Sequence, residues 1–359
     1  MAETRPMFAD PRRRNLAILI GVAVLALIAA WFGIHRQAAQ VAPKYSETEF
    51  LPGFAAHVRE ASRIHVISKK YGAFDVVFKP NKGWVLPTKN DYPASFDQVN
   101  RTLVGLAALE TIEPKTARPD WLHYIGLDAP PAGDGVAITV SNDRGRVLAD
   151  IIAGKSEDIG DSSGATGLFV RHPNQTQSWL ARAEFEPRGN PFDWLDRTIV
   201  DVDRTRIQTT TVESPDGHSF EVHRDNRTDP DFKLTVMPPG REMASDSAAD
   251  GIATAISDLD FQDVKPAKDI DFENAVRTIT KTFDGMSVTT DVVKIGNEYW
   301  AEFGAMSTVA NPAIGREARA ITMRVSGWAY KLSDYKGAAF MATQESLLKP
   351  KGGKPAAAP

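Results

Sequence analysis

The hydrophobic pattern changes character once along the chain. Residues 16–34, LAILIGVAVLALIAAWFGI, are apolar without interruption and follow the run Arg12, Arg13, Arg14. At about 1.5 Å per helical residue they reach roughly 28 Å, close to the roughly 30 Å hydrocarbon core of a bilayer. Beyond them, apolar positions recur at alternate residues or at helical spacing, and no second run of that length follows. The pattern predicts one transmembrane helix followed by a water-facing body.

The flanks give the expected orientation. Arg5, Arg12, Arg13 and Arg14 precede the run, while Arg36 and Lys44 follow it closely. Positive flanks stay cytoplasmic, so residues 1–36 read as a cytoplasmic stub and anchor, with the body periplasmic or extracytoplasmic. A cleaved signal would have a shorter apolar core and a small-x-small site, whereas this run ends in Trp31-Phe32. The anchor is therefore expected to stay, in the inner membrane. Residues 37–49, QAAQVAPKYSETE, read as a linker.

The body reads as two copies of one unit, over residues 50–198 and 199–337, with a flexible tail over 338–359. In the first copy Ile64 and Val66 alternate with polar neighbours, and the turn Tyr71-Gly72-Ala73 leads to the run Phe74-Asp75-Val76. The short strand Trp84-Val85-Leu86 follows. Ser95 then caps a helix, with Gln98 three residues on and an apolar stripe at Val99, Leu103, Leu106 and Leu109. Much of this order returns: Arg206-Ile207, Phe220-Glu221-Val222, Phe232-Lys233-Leu234, Ala244-Ser245, then Ile252, Ile256 and Leu259 at the same spacing. A hairpin around Asp143-Arg144-Gly145 is echoed around Asp284-Gly285, and Leu168-Phe169-Val170 by Tyr299-Trp300-Ala301. Repetition of so many features in one order predicts an internal duplication. The first copy adds a segment, residues 119–128, expected to be a helical turn stopped by Gly126.

Composition narrows the function. The chain is 42% hydrophobic and 25% charged, enough for a real core, and its formal net charge of −4 argues against a nucleic-acid surface. It has no cysteine, which excludes disulfides, thiol catalysis and Cys-based metal sites.

Motifs that could carry chemistry read better as structure. Gly160-Asp161-Ser162-Ser163-Gly164 fits the serine-nucleophile pattern G-x-S-x-G, but a strand rather than a helix is expected after it, leaving no support for an oxyanion hole. It is also similar to the GDSGG of chymotrypsin-like proteases, whose histidine and aspartate motifs this chain lacks. Ala153-Gly154-Lys155-Ser156 ends like a phosphate-binding loop, yet Ala149 stands where the first glycine belongs. His218 and His223 lie five apart on a hairpin, so they point to opposite faces. Asp201 with Asp203, and Asp269 with Asp271, sit at element boundaries where capping is the usual role. Trp121, Trp179, Trp194, Trp300 and Trp328 read as core, or as a cluster for a partner. No catalytic, cofactor-binding or metal residue is assigned, and no cofactor is expected.

The chain resembles bacterial membrane-anchored proteins carrying the domain of unknown function numbered 4340. The resemblance rests on the basic-plus-apolar N-terminus, Ile64, Trp84-x-Leu86, Tyr124-x-Gly126-Leu127-Asp128, Gly154, Trp194-Leu195-Asp196-Arg197, Ile207, and the closing Gly327-Trp328-Ala329-Tyr330-Lys331-Leu332. It implies a non-catalytic envelope protein working beside an ABC-type transporter related to gliding-motility systems. The second copy lacks a counterpart of residues 124–128. The expectation is an α+β fold: a single N-terminal transmembrane helix, then two repeated units, each an antiparallel sheet covered by one helix. The expected function is that of an accessory subunit with the membrane and ABC-type transporter subunits as partners, and no nucleic acid. The alternative is a periplasmic module that binds a glycan or peptide between the units.

Overall fold

Alternation along the strands becomes burial in the first sheet. Ile64 and Val66 are fully buried, as are Ile138, Val140 and Ile151 on neighbouring strands. The structure, a computed structural model, describes residues 47–160 and 164–352. The first unit contains β1 (Thr48–Glu49), α1 (Phe54–His57), β2 (Ala61–Ser68), β3 (Gly72–Lys79), β4 (Gly83–Leu86), β5 (Tyr92–Pro93), α2 (Phe96–Ala107) and β6 (Glu110–Pro114). It continues with β7 (Val136–Asn142), β8 (Val147–Glu157), β9 (Thr166–Arg171) and β10 (Ser178–Ala183). Ser95 caps α2 by accepting from the Gln98 N–H, and Val99 and Leu106 face the core.

The second unit holds β11 (Ile207–Glu213), β12 (Ser219–His223), β13 (Lys233–Leu234), β14 (Arg241–Met243), α3 (Asp250–Ala253) and β15 (Asp263–Pro266). After these come β16 (Val276–Thr282), β17 (Met286–Ile295), β18 (Glu298–Ser307), α4 (Pro312–Val325), β19 (Trp328–Leu332), α5 (Asp334–Phe340) and β20 (Leu348–Pro350). The first sheet has the order β1-β6-β10-β9-β8-β7-β2-β3-β4-β5. The second, read from its β15 edge, runs β15-β19-β18-β17-β16-β11-β12-β13, matching β6 through β4 of the first strand for strand. Rungs match too: Phe74, Val66, Ile138 and Ile151 form one row across four strands, and Phe220, Val212, Thr278 and Thr290 form the equivalent row. The ladder therefore sets Thr210, not Ile207, opposite the equivalents of Ile64's partners. Ile207 is thus the equivalent of Ala61, and both ladders carry a bulge just after that position.

Both sheets bury their second face at the same place. On β8 to β10, Ile152, Phe169 and Leu180 form a small core closed by Leu122 and Leu127. On β17 to β19, Val293, Trp300 and Ala329 do the same under Ile270 and Phe272. The connection before β16 thus covers the face that residues 119–128 cover in the first unit, although its sequence is unrelated. Gly154 shows why the first cover needs glycine: a Cβ there would sit 2.3 Å from the Ile125 carbonyl oxygen. Gly126 ends the short helix in the left-handed region, at φ 70°.

The expectations for the fold class, the second unit's helix and the tail need correction. The fold is not a balanced α+β arrangement but mostly antiparallel sheet, with three sheets among the described residues. The second unit's expected helix is one turn, α3, because the Thr254 hydroxyl bonds back to the Asp250 carbonyl and Asp258 takes a positive φ. Ile252, Ile256 and Leu259 are buried all the same. No helix among the described residues is long and apolar enough to cross a membrane, and the run 16–34 lies outside them. The stretch read as a tail from residue 338 instead carries the end of α5 and β20, which pairs with β14. The helix α4, which the repeat gave no reason to expect, packs on β18 through Ile314, Ala318, Ile321 and Val325.

Candidate interaction surface

Where the two units join, the connecting chain is strapped to both. Asn190 caps a short 3-10 turn, Pro191–Trp194, by accepting from the Phe192 N–H. That turn buries Trp194 completely, and its indole N–H donates to the Arg188 carbonyl at 2.9 Å. The Ser68 hydroxyl donates to the Gly189 carbonyl at 2.7 Å, and the Ser95 N–H to the Trp194 carbonyl at 2.8 Å. The Trp194-x-x-Arg197 signature is therefore a structural clamp: aromatic ballast, then a guanidinium bonded to Asp260 of the second unit at 2.8 Å.

Beneath the clamp lies an aromatic seam. Tyr92 packs edge-on against Trp328 at 4.9 Å and Phe261 at 5.7 Å, with Tyr330 behind. The Tyr92 hydroxyl donates to the Asp196 carbonyl at 3.0 Å. Burial pushes the Tyr92 phenol far above its ordinary pKa, and that of Tyr330 up to about 12. Lys89 meets Asp263 across the seam at 2.7 Å. One continuous core runs through both units, so they hold a fixed relation.

Above the clamp the surface is hollowed rather than pocketed. One hollow of about 390 Å³ is lined by Lys70, Tyr71, Asp134, Arg188 and Asn190. Another, of about 450 Å³, is lined by Phe96, Arg101, Asp193 and Arg197. Asp193 lines both, and Phe96 at the start of α2 stands 70% exposed. Most charges there are neutralised: Lys69 binds Asp134 at 2.8 Å and holds its carboxyl below the usual value, and Arg188 binds Glu186 at 2.6 Å. Such open, ion-paired hollows with one aromatic each suit contact with another protein better than enclosure of a small ligand.

The residues singled out from sequence do not converge. Lys155 and Ser156 lie inside strand β8, and Lys155 donates to the Tyr124 carbonyl at 2.9 Å. His218 sits exposed beside Asp216, and His223 pairs with the Thr235 hydroxyl. Asp203 caps the turn at Arg204–Arg206, Asp271 accepts from the Glu273 N–H, and Asp269 closes another short turn. Ser162 lies outside the described residues. Trp300 is buried, Trp179 and Trp328 are half-buried, and Trp121 is 48% exposed. Among the described residues no group of three His, Asp or Glu side chains could hold a metal ion.

One dyad escaped sequence reasoning because its partners are joined only by strand pairing. His65 Nδ1 lies 2.7 Å from Asp75, which also takes two bonds from Arg63. Burial alone would raise the Asp75 carboxyl, but the Arg63 and His65 bonds outweigh it and hold it low. The next residue in that row, Thr139, gives its hydroxyl to Asp150 at 2.9 Å rather than to His65. The row orders a polar sheet face and activates no nucleophile.

A protein-family model described as domain of unknown function (DUF4340) matches residues 84–275. No curated protein and no solved structure gives a match. The matched stretch runs from β4 across the clamp to just before β16, so it contains Tyr92, the clamp and Phe261, while Ser68, Tyr71, Trp328 and Tyr330 lie outside it.

Proposed function

The chain belongs to the family of the domain of unknown function DUF4340, and on that footing we propose that it is a non-catalytic, partner-binding subunit of an ABC-type transport assembly related to gliding-motility systems. In this reading the chain is held at the cytoplasmic membrane, with the body on the extracytoplasmic side, as the arginines before residues 16–34 favour. The transporter enters through the sequence resemblance described above. The protein-binding part rests on one observation: the junction presents Phe96, Arg101, Tyr71 and Lys70 on shallow hollows above two units welded by a common core. A rigid body loses little freedom on docking, which favours a scaffold.

The test is purification of tagged full-length protein from its native membranes. Co-purification of an ABC-type permease or its ATPase is expected, and Phe96→Ala combined with Arg101→Glu should weaken it at least tenfold, the loss of a modest hot spot of about 1.4 kcal/mol. Recovery of the chain alone, under conditions that preserve other envelope complexes, would contradict the proposal.

A further inference from the structure

The short helix Pro119–Ile125 is peculiar to the first unit, and its inner side closes the second-face core through Leu122. Its outer side shows large aromatics to solvent: Trp121 is 48% and Tyr124 67% exposed. In a 3-10 helix residues three apart are eclipsed, so these two side chains stand one behind the other. The Arg118 guanidinium lies over the Trp121 ring at 4.6 Å, and the His123 ring lies 3.8 Å from that of Tyr124. Lys155 approaches the same turn through the Tyr124 carbonyl. The aromatics are therefore flanked by cations, though Arg118 also binds Asp120.

The strand register tells where this strip stands relative to the incoming chain. β1 runs antiparallel to β6, with Thr48 opposite Thr111 and Glu49 opposite Glu110. The N-terminal end of β1 thus points toward the C-terminal end of β6. Pro119 begins the exposed helix from that same end, eight residues past Thr111, at most about 27 Å along an extended chain. Twelve residues separate Glu47 from Ile34, a number of residues that can span at most about 40 Å.

We propose that Pro119–Ile125 is a second membrane contact, with Trp121 and Tyr124 seated in the headgroup region of the bilayer that holds the chain. The inference rests on the membrane localisation proposed above. Tryptophan and tyrosine favour that depth because each has an apolar body and one polar group, and neighbouring cations meet lipid phosphates. Seating the strip would orient the first unit against the membrane, leaving the junction hollows to face a partner.

The absence of cysteine allows a direct test. Full-length protein carrying His123→Cys, labelled with an environment-sensitive fluorophore, is reconstituted in phosphatidylcholine vesicles containing two spin-labelled lipids, one with a nitroxide near its headgroup, to report on position 123, and one with a nitroxide deep in its acyl chain, to report on position 26. Ala26→Cys in the apolar run and Tyr335→Cys, 75% exposed in the second unit, serve as membrane and water controls. The label at 123 is expected to lose most of its fluorescence, as at 26, while that at 335 keeps it. Adding Trp121→Ala and Tyr124→Ala should abolish quenching at 123 without changing that at 26. Quenching at 26 with none at 123 would overturn the second contact and leave the localisation standing. No quenching at either position would overturn both.

Discussion

Replacing two buried threonines with valine should make the protein more stable. Thr278 and Thr290 face each other on β16 and β17, are fully buried, and carry hydroxyls with no hydrogen-bond partner. At the equivalent rung of the first unit the pair is Ile138 and Ile151. A buried hydroxyl left unbonded costs on the order of 1–3 kcal/mol, and valine keeps the branched shape without that cost. Each substitution should therefore stabilise by about 1–2 kcal/mol. The pair should give somewhat less than twice that, since neighbours couple. At about 2–4 °C per kcal/mol the double variant should melt roughly 5–10 °C higher, with the urea midpoint moving the same way. Thr280→Val is the internal contrast: it breaks the 3.0 Å bond between the Thr210 and Thr280 hydroxyls and should cost about 1 kcal/mol. If Thr278→Val and Thr290→Val destabilise as Thr280→Val does, those hydroxyls have partners and the reasoning fails.

Other outcomes follow from the junction and the sheet faces. Gly154→Ala forces a Cβ into the Ile125 carbonyl and should cost about 2–3 kcal/mol, with faster hydrogen exchange across residues 119–128. Tyr92→Phe removes the bond to the Asp196 carbonyl and should lower stability by about 1 kcal/mol, read by urea denaturation. Asp75 has a depressed carboxyl pKa in the folded state, so its contribution is present above the unfolded value near 3.9 and is lost as pH falls through the lower folded value. Asp75→Asn should thus flatten the stability loss below about pH 4, and an unchanged acid limb would show that Arg63 and His65 do not stabilise the carboxylate.

Much of the sheet architecture is legible in the sequence, because period-2 burial at Ile64, Val66, Phe74 and Val76 and turns such as Asp284-Gly285 act locally. The second unit is harder to read, since its core rungs carry Thr210, Thr278, Thr280 and Thr290, whose hydroxyls disguise buried positions as polar ones. Ile252, Ile256 and Leu259 keep a helical stripe, yet Asp250, Gly251 and Thr254 leave only one turn of helix among them. α4 carries its own signals, Asn311 capping and Pro312 at the first position, but has no counterpart in the first unit. β20 owes its place to pairing with β14, more than a hundred residues away, which no local pattern reveals. At the junction the Trp194 clamp is visible as a signature, whereas its partners Ser68, Ser95 and Tyr92 are brought there only by the fold.

The most direct test of a partner-binding role is site-specific photo-crosslinking of the full-length protein in its native membranes, with the probe at Phe96 and a control probe at Tyr335, both strongly exposed. The account predicts a discrete adduct between position 96 and a subunit of an ABC-type transporter, with none at 335. Equal, diffuse labelling from both positions would contradict it.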